Sequence, residues 1–274
     1  MIATLPMYAR PWNRAAHDAL WEGIRDGLHA RGVAAPDALD HDIDHMAGWG
    51  RDDLVLGQMC SLPLRAVFAG RVTVIGTGDY GLPDTAPGYY RSVYVVRADD
   101  PARTLADCAG YRYTLNDFGS QSGWGSPWAD AVRQGLALLP TLVTGTHRSS
   151  MEAVAAGHAD LAAIDAQTWW MDRGRVPARD ALRVIGRTHA TPGQSFVTAG
   201  ARDPAPYAGA IAEAIAALSP DHRATLGLRG IVTLPHGAYD LPVPRHPAGR
   251  KSARQLHSTR ESRQLRGRQG NTRT

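Results

Sequence analysis

The chain has 274 residues, 43% of them hydrophobic, and a formal net charge of +4. That apolar content is enough for a large core in one large or two modest domains. No run approaches the roughly 18 apolar residues of a membrane helix, and Cys60 and Cys108 are too few for a disulfide framework or zinc site, although they could pair in an oxidising compartment.

In chain order, strand and helix signals alternate, which predicts an α/β architecture with mostly parallel sheets. Ile2 to Leu5 opens as a short strand. Arg14 to Ala30 follows as a helix with Ala16, Leu20, Ile24 and Leu28 on one face and Gly32 as its stop. Asp53 to Gln58 and Val72 to Gly76 read as buried strands, and Tyr90 to Arg97 as a longer one. The alternation then repeats: strand Tyr111 to Leu115, helix from about Ser126, strand Thr141 to Thr144, helix Ser150 to Ala156, strand Leu161 to Ile164 and helix from Ala166. Leu182 to Ile185 and Phe196 to Thr198 are strands again, and Pro206 to Leu218 is an alanine-rich helix. Two sheets in one chain are implied, with no repeat of fixed period.

The net charge sums two unlike parts. From Arg245 to Thr274 nine basic residues face one glutamate, Glu261, a surplus of eight that leaves four net negative charges on residues 1 to 244. With almost no apolar residues the tail cannot offset its ordering entropy, so disorder is expected over 245–274. Such a tail is a solvated appendage or a non-specific phosphate binder; no specific nucleic-acid partner is indicated. The first eight residues show no basic n-region before an apolar h-region, so the sequence itself points to no export.

Several motifs carry little. Gly76-Thr77-Gly78-Asp79-Tyr80-Gly81 fits G-x-G-x-x-G, but Pro83 and Pro87 exclude the helix that would hold a pyrophosphate, so it reads as a turn. His41 and His45 have metal-ligand spacing within a segment better read as a solvated loop. Ser120 or Ser122, His147 and Asp165 supply the residue types of a hydrolytic triad, yet no G-x-S-x-G elbow presents either serine. No metal or cofactor motif emerges.

Gly119-Ser120-Gln121-Ser122-Gly123-Trp124 is more informative, because it joins a strand to a helix marked by Trp124, Trp128, Val132 and Leu136. Unpaired N–H groups, the positive end of the helix dipole and two hydroxyls suit an anion there, although serines at such a place also serve simply as caps. Ser149 and Glu152 have capping-box spacing, which starts a second helix just after His147. Asp165 ends the next strand. Ligands of open α/β sheets bind outside the carboxyl ends of strands, so residues 120 to 123, 147 and 165 are expected to converge, with the contribution of His147 varying near the histidine pKa.

The order Tyr90-Arg91-Ser92-Val93-Tyr94-Val95-Val96-Arg97, Leu105-Ala106-Asp107, Gly119-Ser120-Gln121-Ser122-Gly123, Gly145-Thr146-His147-Arg148-Ser149-Ser150, Ala153-Val154-Ala155-Ala156-Gly157 and Ala159 to Asp165 resembles the phosphate/phosphonate ABC-transporter substrate-binding proteins. The resemblance implies a type 2 periplasmic-binding-protein fold, α/β, with two lobes joined by two crossing hinge strands. Lobe one would comprise 1–95 and 197–244 and lobe two 96–196, with crossings at about Tyr94 to Ala98 and Ser195 to Ala199. It also implies a periplasmic, non-enzymatic, monomeric protein that closes on a phosphate, phosphite or phosphonate and delivers it to an ABC permease. Ser120, Gln121, Ser122 and Gly123 would hold the oxyanion, with His147 and Asp165 on the same lobe and Tyr8, Gln58 and Tyr90 closing from lobe one. Gln121 stands where the family commonly has a small hydroxylated residue, which would enlarge or redirect the pocket. An aspartate facing an oxyanion requires a ligand that keeps a proton or carries an amine. A cytoplasmic enzyme or ligand sensor on the same fold is the alternative.

Overall fold

Alternation of apolar side chains decides the architecture. The computed structural model describes residues 1–245; the expected disordered tail therefore lies, from residue 246 onward, outside the described residues. The elements are β1 (Ile2–Thr4), α1 (Arg14–Ala30), α2 (His45–Trp49), β2 (Leu54–Met59), α3 (Ser61–Ala66), β3 (Val72–Asp79), β4 (Tyr89–Tyr90), β5 (Ser92–Arg97), β6 (Arg112–Leu115), α4 (Ser126–Arg133), β7 (Leu139–Val143), α5 (His147–Ala155), β8 (Leu161–Asp165), α6 (Ala166–Met171), α7 (Pro177–Asp180), β9 (Leu182–Arg187), β10 (Thr191–Pro192), β11 (Ser195–Ala199), α8 (Ala205–Ala217), α9 (Pro220–Leu226) and β12 (Gly230–Val232). The strands form two five-stranded sheets, ordered β1-β2-β11-β3-β12 and β7-β6-β8-β5-β9, and a two-stranded ribbon β10-β4 between them.

In the second sheet, Val93 and Val95 of β5 enter one core while Tyr94 and Val96 enter the opposite one. Leu161 and Ala163 of β8 likewise oppose Ala162 and Ile164. Both faces are covered, which explains why these strands read as unbroken apolar runs. In the first sheet, β1 and β2 contribute to the core under α1 and α8, while Trp49, Leu54, Met59 and Val197 build the other face. Each sheet with its helices is one lobe, lobe one being the first.

Two expectations change. The sheets are mixed rather than mostly parallel: β1–β2, β6–β7 and β6–β8 run parallel, whereas β2–β11, β3–β11, β3–β12, β5–β8 and β5–β9 run antiparallel. The strands that follow each passage between lobes enter the new sheet against their neighbours, which an α/β alternation in sequence does not reveal. The crossings also move. Residues 92–95, assigned with lobe one, pair in the second sheet, and Ser195–Phe196, assigned with lobe two, pair at the centre of the first. The chain passes between lobes at the ribbon, where Thr191 opposes Tyr90 and Pro192 opposes Tyr89. Arg91 marks the break, its guanidinium reaching Thr85 Oγ1 and the Asp84 and Thr188 carbonyls. Arg91 and Ser92 interrupt the apolar run at this break, but two polar residues within a run that resumes at Val93 do not by themselves signal a change of sheet.

Cys60 and Cys108 are both buried free thiols, and they fall in different lobes. His41 contacts Asp18 at 2.6 Å and His45 meets the Trp49 ring edge-on. Gly76 and Gly78 of the glycine-rich motif lie within β3, and only Gly81 turns, with φ of 57°.

Helices α1 and α8 pack through small residues: a Cβ on Gly27 would stand 3.0 Å from Ala210 Cβ, and one on Gly23 3.0 Å from Ala214 Cβ. Gly27→Leu is expected to force the helices apart and cost about 1–3 kcal/mol, read as a lowered denaturation midpoint; an unchanged midpoint would show that the pair accommodates the side chain.

Candidate functional site

The serine-glycine segment begins with a π-helical turn, Gln121–Gly125, that runs directly into α4. Ser120 caps it, its Oγ accepting the Gly123 amide at 3.0 Å, while the Gly125 amide reaches back to the Ser120 carbonyl at 3.0 Å. Such wide turns place backbone and side chains differently from an α-helix and recur at functional positions. Gly123 is required here, because a Cβ would lie 1.8 Å from Asn116 Oδ1. The turn is tied to the sheet below by Ser92 Oγ, which donates to the Ser122 carbonyl at 2.9 Å, and by the Tyr113 hydroxyl on the Gly123 carbonyl.

His147 opens α5. The helix cap is Thr146, whose Oγ1 accepts the Ser149 amide at 3.0 Å. Glu152 pairs instead with Arg148, so the expected Ser149–Glu152 capping box is replaced by a cap three residues earlier, with His147 in the first turn rather than ahead of it. Its Nε2 lies 2.8 Å from Ser122 Oγ, and Ser122 Oγ lies 3.3 Å from Ser120 Oγ. The residue is half-buried, yet Nδ1 is enclosed and has no partner within the protein. Burial, with the charge of Arg10 adding, pushes its pKa down to about 3. That direction favours the neutral imidazole in the folded protein.

Asp165 occupies the end of β8, directly opposite Ser92 in the sheet. Its two oxygens have different tasks. Oδ1 caps α6, accepting the Gln167 and Thr168 amides at 2.8 and 3.1 Å; Oδ2 accepts the Tyr8 hydroxyl at 3.0 Å. Gln194 Nε2 stands 3.5 Å from the same oxygen. Tyr8 and Gln194 belong to lobe one and Asp165 to lobe two, so this carboxylate is where the lobes meet. Among the described residues no cation forms an ion pair with it, and burial raises its pKa from 3.8 to about 6 against the lowering effect of its donors. That rise corresponds to roughly 3 kcal/mol of destabilisation in the ionised form.

Tyr8 and Tyr90, both buried, and the half-buried Tyr80 surround this point, all held as neutral phenols by desolvation with Asp165 opposing their ionisation further. Tyr8 packs edge-on against Tyr80, with centroids 4.8 Å apart. The Tyr90 hydroxyl has no hydrogen-bond partner, although Ser122 lies near enough to ease its ionisation.

Thus Ser120, Ser122, Gly123 and His147 come together, and Tyr8, Tyr90 and Asp165 form the adjoining wall. Two expected residues stand apart. Gln121 turns back along the helix, its Nε2 donating to Ser126 Oγ at 2.8 Å, and Ser126 continues to Thr191 of the ribbon at 3.3 Å. Gly125 leaves room for it, since a Cβ there would crowd Gln121 Oε1 at 2.7 Å. Gln58 donates to the Tyr80 hydroxyl at 2.9 Å and reaches Tyr8 only through that ring. Tyr80, Gln194 and Asn116 were missed. Tyr80 lay inside the rejected glycine-rich motif, at a strand end; nothing in the sequence distinguished the other two.

Residues 59–234 match the model of a family described as the periplasmic substrate-binding protein of phosphonate ABC transporters. No curated protein matches the chain. Among solved structures, XAC2383 from Xanthomonas citri, bound to ATP, is 14% identical, with 88% of this chain and 93% of that one covered and a TM-score of 0.65. PhnD1 from Prochlorococcus marinus, in complex with methylphosphonate, is 17% identical over 87% of this chain and 94% of that one, with a TM-score of 0.64. A binding protein component of an ABC phosphonate transporter from Pseudomonas aeruginosa is 14% identical over 87% and 82%, again with a TM-score of 0.64. At these identities the likeness establishes the fold, a type 2 periplasmic-binding-protein arrangement of two α/β lobes.

The Asp165 carboxyl has a testable cost. Its folded pKa lies above its unfolded one, so the folded protein holds a proton that the unfolded chain gives up. That stabilisation is full below about pH 4 and lost as pH rises through about 6. Asp165→Asn keeps an oxygen to cap α6. It is expected to be about 2–3 kcal/mol more stable than the parent at pH 7.5, with the difference vanishing toward pH 4; chemical denaturation across that range checks it, and a pH-independent difference would contradict it.

Proposed function

The chain belongs to the family of periplasmic substrate-binding proteins of phosphonate ABC transporters, and on that premise we propose that it captures one small phosphorus oxyanion, phosphite or a short phosphonate ahead of phosphate, between its lobes. The observation that carries this reading is the Ser120–Ser122–His147 set beside an interlobe Tyr8–Asp165 hydrogen bond. Neutral hydroxyl and imidazole donors suit an oxyanion in a water-excluded site, because they supply aligned dipoles without charges that must themselves be desolvated. The unpartnered Tyr90 hydroxyl and His147 Nδ1 add two polar atoms with unspent hydrogen-bonding capacity at the same place.

Asp165 sets the protonation state. Its Oδ2 repels a fully ionised oxygen but accepts from a protonated one, so the bound pair of Asp165 and ligand shares one proton. The three tyrosines bring flat apolar walls close to the phosphorus substituent, which favours hydrogen, methyl or a similarly small group. Closure is the functional event: contacts made only when Tyr8 and Tyr90 meet lobe two shift the lobes toward the closed form that an ABC permease reads. The capturing species is a monomer.

Calorimetry with phosphite, methylphosphonate, phosphate, sulfate and small carboxylates tests the reading. One-to-one binding of phosphorus oxyanions without turnover is expected. Binding confined to carboxylates, or conversion of the ligand, would overturn it. Ser122→Ala should weaken binding by about 1–3 kcal/mol, roughly 5- to 150-fold, and an unchanged affinity would remove Ser122 from the site.

A further inference from the structure

We infer that the segment from Tyr8 to Trp12 is a closure strap that holds lobe one against lobe two, with Asn13 as its positioning residue. The segment presents alternate side chains to one partner surface. Tyr8 donates to Asp165, Arg10 lies 3.9 Å from Asp172, and Trp12 stacks with the Arg175 guanidinium 4.2 Å from its ring centroid. These partners run from the residue that caps α6 at its start to just past its end, so three contacts line up from the buried site to the rim.

Asn13 fixes the segment from inside lobe one. It is buried, its Oδ1 accepts the Arg10 amide at 2.7 Å, and its Nδ2 donates to the Tyr8 carbonyl at 3.0 Å. Its own amide returns to the Arg10 carbonyl at 3.1 Å, and its carbonyl accepts from His17 Nδ1 at 3.2 Å. One side chain thereby sets the direction of both Tyr8 and Arg10.

The partner of Arg10 explains why the contact matters. Asp172 is buried, its Oδ2 has no hydrogen-bond partner, and burial raises its pKa although Arg10, Arg148, Arg179 and Arg175 all favour its ionised form. Arg148, Arg175 and Arg179 stay with Asp172 in lobe two, whereas Arg10 comes from lobe one, so separation of the lobes removes the Arg10 share of the compensation from a buried carboxylate whose Oδ2 is already unpartnered. Trp12 adds a cation–π contact at the edge, where solvent weakens but does not abolish it. Trp12 lies outside the oxyanion set, and Arg10 touches that set only through its charge on His147, so Trp12→Leu reads how long the lobes stay closed without altering the charge at the anion site.

This inference rests on the capture reading above, and the test separates the two. Arg10→Met, Arg10→Lys, Trp12→Leu and Trp12→Phe would be compared with the parent by small-angle scattering without ligand and by stopped-flow kinetics with methylphosphonate. Arg10→Met and Trp12→Leu are expected to enlarge the ligand-free radius of gyration and to raise the dissociation rate roughly 5- to 30-fold, with the association rate changed less than about 3-fold. Arg10→Lys and Trp12→Phe should recover most of both effects, which a merely structural role would not produce. Unchanged scattering and dissociation in Arg10→Met would overturn the strap. If the parent does not bind methylphosphonate, the capture reading fails on that ligand, and the strap stands or falls on scattering alone: expansion in Arg10→Met supports it, and an unaltered radius refutes it.

Discussion

A buried carboxylate with no ion-pair partner among the described residues, Asp165, is the constraint on which the rest of the site depends. Each oxygen is committed: one to the start of α6, the other to Tyr8 across the lobe boundary. The first commitment is local and persists with the lobes apart, because both amides come from the same lobe. The second exists only when the lobes meet. Closure therefore places a tyrosine hydroxyl where it offsets part of the desolvation that closure itself imposes. The surrounding groups follow from this. Phenols and a neutral imidazole are tolerated beside the carboxylate.

The lobes are built so that this contact is well defined. In lobe two, β5 and β8 carry apolar side chains into both faces, which leaves little freedom for Ser92 and Asp165 to move relative to one another. Ser92 in turn holds the π-helical turn through the Ser122 carbonyl. The oxyanion set and the carboxylate are thus fixed to one sheet, while Tyr8 arrives from the other. Between them the backbone passes twice through a ribbon only two residues long on each strand, and the Gln121–Ser126–Thr191 chain ties the turn to that ribbon.

Much of this was legible in sequence because it is local. Strong apolar runs marked β2, β5, β8 and β11, the periodicity of Ala16, Leu20, Ile24 and Leu28 marked α1, and the junctions after β6 and β8 marked Ser120 to Gly123 and Asp165. Short elements without periodicity, such as α3 and β12, left no comparable signal. The ribbon was misplaced because each of its strands is only two residues long and carries no periodicity of its own. The direction of Gln121 toward Ser126 was not legible, because it depends on the absence of a side chain at Gly125, a three-dimensional fact. The cap of α5 was misread because Thr146 and Ser149 are both competent and only the backbone decides between them. Tyr8 meets Asp165 from 157 positions away; the family resemblance brought Tyr8 into consideration, but no spacing could show which residue it touches.

The central claim is that oxyanion and Asp165 share one proton in a site of neutral donors. Its most direct test is the proton balance of methylphosphonate binding, measured by calorimetry in buffers of different ionisation enthalpy from pH 6 to 8.5. The account predicts an uptake that rises with pH toward about one proton per ligand, as both free carboxylate and free ligand lose theirs, and that falls away in Asp165→Asn. Binding with no net proton exchange at pH 8.5 would contradict it, because the ionised carboxylate and the dianion would then be sitting together without the proton that makes their contact favourable.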